Sequence, residues 1–242
     1  MLATPQRDLK ANQAKDVIER IIMSSYEEHL IGSTDTLGPD LESSKIAWSD
    51  QKIRFVTDRC KNKKVLDLGC VQHNPGFADT ELWLHKAICA VSDETLGLDL
   101  YEPGVKILTK KGYNVVHGNA ENFDFERVFE TIVAGDLVEH LSNFGNFLES
   151  CVKHMDRNSK LLICTPNPWH WHRVIRAFYR DIPVNGEHTC WMCPITLKQL
   201  AKRYGLNVTY LEYGSSRLRD KFLLLPKRLR HQSWNAELML SF

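Results

Sequence analysis

No apolar run in this chain approaches the length of a membrane span, which argues against a helical anchor. An excess of charge is missing too. Lys and Arg number 31 against 30 Asp and Glu, a net charge of +1, so no global field favours nucleic acid as a partner. Low-complexity tracts are absent, and nothing like a secretory leader opens MLATPQRDLKANQ. The seven cysteines are an odd count, which does not suit a closed disulfide framework. Cys70, Cys89 and Cys164 sit inside apolar runs, where a reduced thiol is a small core residue. The expected compartment is therefore cytoplasmic and reducing. What remains is a chain of 242 residues, 43% of them apolar, enough for one globular domain with added elements.

The most informative stretch is Lys63 to Phe77, KKVLDLGCVQHNPGF. Val65, Leu66 and Leu68 read as a short buried strand running into a glycine turn, with Asp67 near its carboxyl end and Gly69 just after it. A second strand, TLGLDL from Thr95 to Leu100, follows a helical stretch and carries Asp99 near its end. This is the plan of a βαβ unit that holds a nucleoside-type cofactor. Glycine lets the backbone approach the ligand, and the acid closing the second strand can accept hydrogen bonds from two ribose hydroxyls.

Periodicity predicts strands at 64–69, 94–99, 113–117, 130–135, 159–164, 206–213 and 235–242. Helices are expected near 79–90, 102–111, 142–155 and 194–204. Phe144, Phe147, Leu148, Cys151, Val152 and Met155 keep helical spacing, and Pro194 and Gly205 bracket the last helix. Alternating strands and helices imply an α/β fold, a doubly wound Rossmann-like sheet of seven strands. The last two strands, drawn with no helix between them, are expected to be antiparallel. Residues 1–62 read as an N-terminal helical cap, with Val17, Ile18, Ile21, Ile22, Tyr26 and Leu30 on one face and a second helix starting near Ser49. The remaining 63–242 form the main domain.

These residues resemble class I S-adenosylmethionine-dependent methyltransferases. VLDLGC matches that family's first motif, with Asp67 and Gly69 on its acid and glycine and Cys70 contributing its backbone. GLDL matches the second-strand motif, placing Asp99 as the ribose acid with Leu100 after it. GNAENFDF resembles the loop after the third strand, where Asn119 and Ala120 would frame adenine. VAGDLVEHL resembles the fourth-strand motif, with Asp136, Leu137 and His140 in place. LLICTPNP resembles the fifth strand and its exit, and AELMLSF the antiparallel seventh strand. The chain departs from the family at Val71, where a second glycine is usual; the next glycine is Gly76. Asn119 stands where aspartate is commoner.

The resemblance implies S-adenosyl-L-methionine as cofactor and a small-molecule, sugar or lipid-linked glycan acceptor, methylated at oxygen. An oxygen acceptor calls for a general base with a pKa near operating pH. His170, His172 and His188, beyond the fifth strand, are the candidates. His140 either lines the acceptor pocket or fixes its own loop. His188, Cys190 and Cys193 spell HxCxxC, a possible zinc set with His170 and His172, but two semi-buried thiols around Trp191 explain the pattern more simply, and no metal is expected. Residues 214–234 carry six Lys or Arg against one Asp around FLLLP. That patch is either a solvated helical hairpin or a contact, through 217–231, with an anionic membrane surface or a phosphate-bearing acceptor. Two other functions share the strand–glycine–acid plan: a nicotinamide-dependent oxidoreductase and a non-catalytic cofactor-binding module.

Overall fold

The short runs 65–68, 131–134 and 161–165, rich in Val, Leu and Ile, become the central strands because both of their faces find cover. The computed structural model describes residues 51–71, 80, 83–179, 184–214, 226–231 and 233–240. The strands are β1 (Lys64–Leu68), β2 (Glu94–Asp99), β3 (Val115–His117), β4 (Thr131–Gly135), β5 (Lys160–Pro166), β6 (Leu206–Tyr213) and β7 (Ser233–Leu240). They form one sheet in the order β3-β2-β1-β4-β5-β7-β6. The first five are parallel, and β7 runs antiparallel to both β5 and β6. The expected α/β architecture and the antiparallel last strand are both present.

The helices are α1 (51–60 as described), α2 (Leu84–Cys89), α3 (Glu102–Lys110), α4 (Phe144–Lys153), α5 (Trp171–Phe178), α6 (Pro194–Arg203) and the short α7 (Lys227–Arg230). The period of two along the strands sorts the core into two faces. Leu66, Leu68, Ile132, Ala134, Leu161 and Ile163 meet Phe147, Leu148 and Cys151 of α4 and Leu197 and Ala201 of α6. Val65, Val133, Leu162 and Cys164 point the other way, onto Phe55, Val56 and Cys60 of α1 and Leu84 and Ile88 of α2. Helix α1 therefore shares the core of the sheet, although the expected domain boundary falls just after it. The Arg59 guanidinium fastens it further. Its Nε donates to Glu237 Oε2 of β7 at 2.8 Å, and the group lies over the rings of Phe55 and Tyr210.

Two expectations need correction. Helix α5 was not foreseen, because its buried face is Trp171, His172 and Arg176. Polar residues on the inward side leave no apolar stripe for periodicity to detect. Helix α7 lies between β6 and β7, which were drawn with no helix between them, and falls within the segment read as a helical hairpin. Val17 to Leu30, the Ser49 cap, Gly76 and the FLLLP segment through Leu225 lie outside the described residues.

Chain order reverses beside β1: β2 and β3 lie on one side, β4 and β5 on the other. At such a switch point the loops leave the carboxyl edge in opposite directions and open a crevice. Close packing next to this edge is visible at Gly97 in β2. A Cβ there would stand 2.7 Å from Cys70 Sγ, 2.8 Å from Val115 Cγ1 and 2.9 Å from His85 Cε1. We predict that Gly97→Ala destabilises the fold by about 1–3 kcal/mol, the range of core overpacking. Urea denaturation should show a lower midpoint with an unchanged slope; an unshifted midpoint would mean that these neighbours yield freely.

Candidate active site

The carboxyl edge is built from four strand exits. After β1 the chain turns at Gly69, whose φ of +76° is unfavourable for any residue with a Cβ. Its N–H donates to Leu98 O at 2.8 Å, and a Cβ would come within 3.1 Å of Leu137 Cδ1. At the end of β2, Asp99 accepts from the Val71 N–H through Oδ2 and from the Tyr101 N–H through Oδ1, each at 2.8 Å. One carboxylate thus holds the β1 and β2 exits together. Beside it Leu100 is 67% and Tyr101 50% exposed, an apolar face of the kind a flat base could cover. After β3, Asn119 Oδ1 accepts from the Glu121 N–H at 2.8 Å, while Ala120 is buried in the core. The Asn119 oxygen thus shapes its own turn.

Asp67 is buried beneath this edge and meets His85 Nδ1 of α2 at 2.8 Å. Burial opposes a charge on His85, but Asp67 and Cys89 together outweigh it and raise the imidazole pKa to about 9. The Cys70 side chain is buried, and its carbonyl accepts from Trp83 Nε1 at 2.8 Å. Both residues support the glycine turn from below.

The β4 exit carries a different set of groups. Asp136 has φ +52°, rare for a residue with a Cβ, and its N–H donates to Cys164 O at 2.8 Å. Lys52 of α1 reaches its Oδ2 as an ion pair. Burial works against the Lys52 charge, yet Asp136 raises its pKa overall. Next comes a single 3-10 turn, Val138–His140. Glu139 in it is buried and accepts from Thr165 Oγ1 at 2.9 Å. Burial first, and then the Asp136 charge, push its carboxyl up to about 8. The loop after α5 lies on this turn, and the His188 ring meets the His140 ring edge-on at 4.7 Å between centroids. Burial and then His140 lower the His188 pKa.

Of the three histidines expected as bases, His188 thus joins the β4 exit. His170 and His172 are buried at the start of α5 and only 6.3 Å apart between ring centroids. The HxCxxC thiols turn elsewhere: Cys190 Sγ donates to Val138 O at 3.3 Å, and Cys193 Sγ accepts from Thr196 Oγ1 at 3.4 Å. Lys52, His85, Glu139 and Thr165 were missed from sequence. Lys52 had a signal, since it falls four residues before Val56 on the apolar stripe of its helix. Glu139 had one in its place beside His140.

A Rossmann-like sheet ordered in this way, with a glycine turn after β1 and an acid closing β2, defines a class I S-adenosylmethionine-dependent methyltransferase. The chain belongs to the methyltransferase-domain family, which it matches over residues 43–211. A curated relative from Mycolicibacterium smegmatis, named "Probable S-adenosylmethionine-dependent methyltransferase", is 26% identical over 154 residues, 62% of this chain. The chain spans about half the length of that relative, 54%. Among solved structures, a SAM-dependent methyltransferase from Archaeoglobus fulgidus is similar with a TM-score of 0.59 and 21% identity, over 82% of this chain and 94% of that one. Magnesium protoporphyrin IX methyltransferase from Synechocystis, solved with bound S-adenosylhomocysteine, is similar with a TM-score of 0.61 and 12% identity, over 94% of this chain and all of that one. This membership sets the oxidoreductase alternative aside.

The His85–Asp67 pair makes a prediction about pH. A folded-state pKa of about 9 exceeds the unfolded value of about 6.5. The stability it contributes is therefore complete below the unfolded value and is lost as pH rises through the folded one. Urea denaturation from pH 6 to pH 10 should show the wild type losing its advantage over His85→Gln across about 6.5–9. Parallel curves would mean that the imidazole stays neutral in the folded protein.

Proposed function

We propose that this protein transfers the methyl group of S-adenosyl-L-methionine to an oxygen of a small-molecule, sugar or lipid-linked glycan acceptor. The observation that supports this is that an acid closing β2, Asp99, and the Glu139, His140 and His188 cluster after β4 both stand at strand exits on the carboxyl edge of one sheet. When bound, the cofactor supplies a methyl on a sulfonium, already a good electrophile, so the protein has mainly to align and deprotonate the acceptor.

Asp99 is suited to the ribose hydroxyls, since each oxygen that accepts one N–H keeps a lone pair. Leu100, Tyr101, Ala120 and Leu137 would flank the adenine, and Asn119 would border it. Gly69 and the Cys70 backbone would admit the methionine portion, with Asp67 acting through His85 rather than by contact. Asp136, just after β4, would border the cofactor. The acceptor hydroxyl would face Glu139 and His188, where its proton can be held or removed. His170 and His172, buried beneath, would position this wall. Peripheral contact with an anionic membrane through 217–231 would suit a lipid-linked acceptor. In its described part, α7 exposes Lys227 and Arg228, and the chain around it is fixed to the β5 exit because Asn167 Nδ2 donates to Arg228 O and His231 O at 2.7 and 2.6 Å. A non-catalytic module would bind the cofactor and turn over no acceptor.

Two measurements test this. Loss of two hydrogen bonds to a carboxylate costs roughly 2–4 kcal/mol, so Asp99→Ala should weaken S-adenosylmethionine binding by well over tenfold in titration calorimetry. Asp99→Asn, which keeps an acceptor for the loop, should show an intermediate loss. Unchanged affinity in both would remove Asp99 from the site. Incubation with methyl-labelled cofactor and fractionated cell extract should yield a product whose methyl carbon resonates as an O-methyl group. An N-methyl or C-methyl signal would overturn the oxygen acceptor.

A further inference from the structure

Three side chains at the β4 exit have the chemistry of a metal centre rather than of a hydrogen-bonded wall. One ligand atom each from Glu139, His140 and His188 lies within 4.8 Å of the other two. Two imidazoles and one carboxylate are a donor set that holds divalent first-row metals and leaves positions open. On a tetrahedral zinc with bonds of about 2.0–2.1 Å, ligand atoms stand roughly 3.3 Å apart. Small rotations of two half-buried imidazoles close that gap.

The cluster is built rather than incidental. Four donor groups tie the segment after His188 to the β4 exit. Thr189 and Cys190 both donate their N–H to Glu139 O, at 2.8 and 3.3 Å. Thr189 Oγ1 donates to Leu141 O at 2.6 Å, and Cys190 Sγ to Val138 O. His188 is thereby held over a turn some fifty residues away in sequence. Supporting groups stand behind the ligands: Thr165 Oγ1 donates to the Glu139 carboxylate, and Glu187 Oε2 lies 4.0 Å from His140 Nδ1. A metal site needs such outer contacts to orient its ligands. Two buried polar atoms nearby, His188 Nδ1 and Asp136 Oδ1, find no hydrogen-bond partner among the described residues. Buried polar atoms are normally paired, and a cation with its bound water would satisfy both.

We propose that Glu139, His140 and His188 bind one divalent cation of the zinc or manganese type, whose open positions receive the acceptor hydroxyl. This rests on the methyl-transfer function proposed above and gives it a means of activating oxygen. The ligated hydroxyl gives up its proton to solvent more readily than a free one. The oxygen then forms its bond to the methyl carbon as the carbon–sulfur bond breaks, and that electron pair stays on sulfur.

The test uses the full chain without a polyhistidine tag, stripped with chelator and titrated separately with Zn²⁺, Mn²⁺ and Mg²⁺ by calorimetry. One equivalent of Zn²⁺ or Mn²⁺ should bind at least tenfold more tightly than Mg²⁺. His140→Ala and His188→Gln should each weaken that binding at least tenfold, and Cys190→Ser should leave it unchanged. Circular dichroism and S-adenosylmethionine titration of the same samples check that each variant folds. No binding by the wild type, or equal binding by a folded His140→Ala, His188→Gln double variant, overturns the site. Equal weakening by Cys190→Ser would move the metal to the HxCxxC segment and also overturn it. S-adenosylmethionine binding is measured without metal, so its failure would count against the methyl-transfer function and not against the cation.

Discussion

Two neighbouring parallel strands, β1 and β4, both leave the sheet near a left-handed residue, and the site depends on that pair of turns. Gly69 has φ +76° and Asp136 has φ +52°. A conformation unfavourable to most residues persists only where its surroundings over-determine it. At Gly69 the determinant is the bond to Leu98 O together with the close approach of Leu137. At Asp136 it is the bond to Cys164 O and the ion pair with Lys52. Leu137, next to Asp136, packs against the Gly69 turn and so links the two exits.

Beneath each turn lies a charged pair whose partners come from different elements. Asp67 and His85 join β1 to α2; Lys52 and Asp136 join α1 to the β4 exit. A buried pair adds little net stability over apolar packing, but losing one partner is costly. Such pairs fix geometry more than they add stability. Helix α1 is thus tied to the β4 exit as α2 is tied to β1, and both helices brace the carboxyl edge from the same face of the sheet.

Much of the fold was legible because central parallel strands are covered on both faces and read as unbroken apolar runs. The bounds of β2 and β6 were read as they stand, and the other strands differ by a residue or two at their ends. Asp99 and Gly69 were legible because the chemistry of a nucleoside demands an acid and a glycine at those places. Other features depend on contacts that no spacing encodes. The partner of Asp67 is eighteen residues away on a helix, and His85 in LHKA looks like any surface histidine. Glu139 was overlooked because a carboxyl beside a histidine resembles a solvated pair until burial is known. Helix α5 stayed hidden because a tryptophan, a histidine and an arginine line its inner side.

The position of β7 has a consequence for how the chain is made. Among the described residues strand β6 pairs with β7 alone, and β7 fills the place between β5 and β6. During synthesis β6 therefore emerges before it has a partner, and the exposed side of β5 waits as well. Two strand edges therefore stay open from the emergence of β5 until Ser233 to Leu240 pair with both. Trp234, fully buried and donating from Nε1 to Met192 O at 3.2 Å, is the residue whose arrival locks that seam.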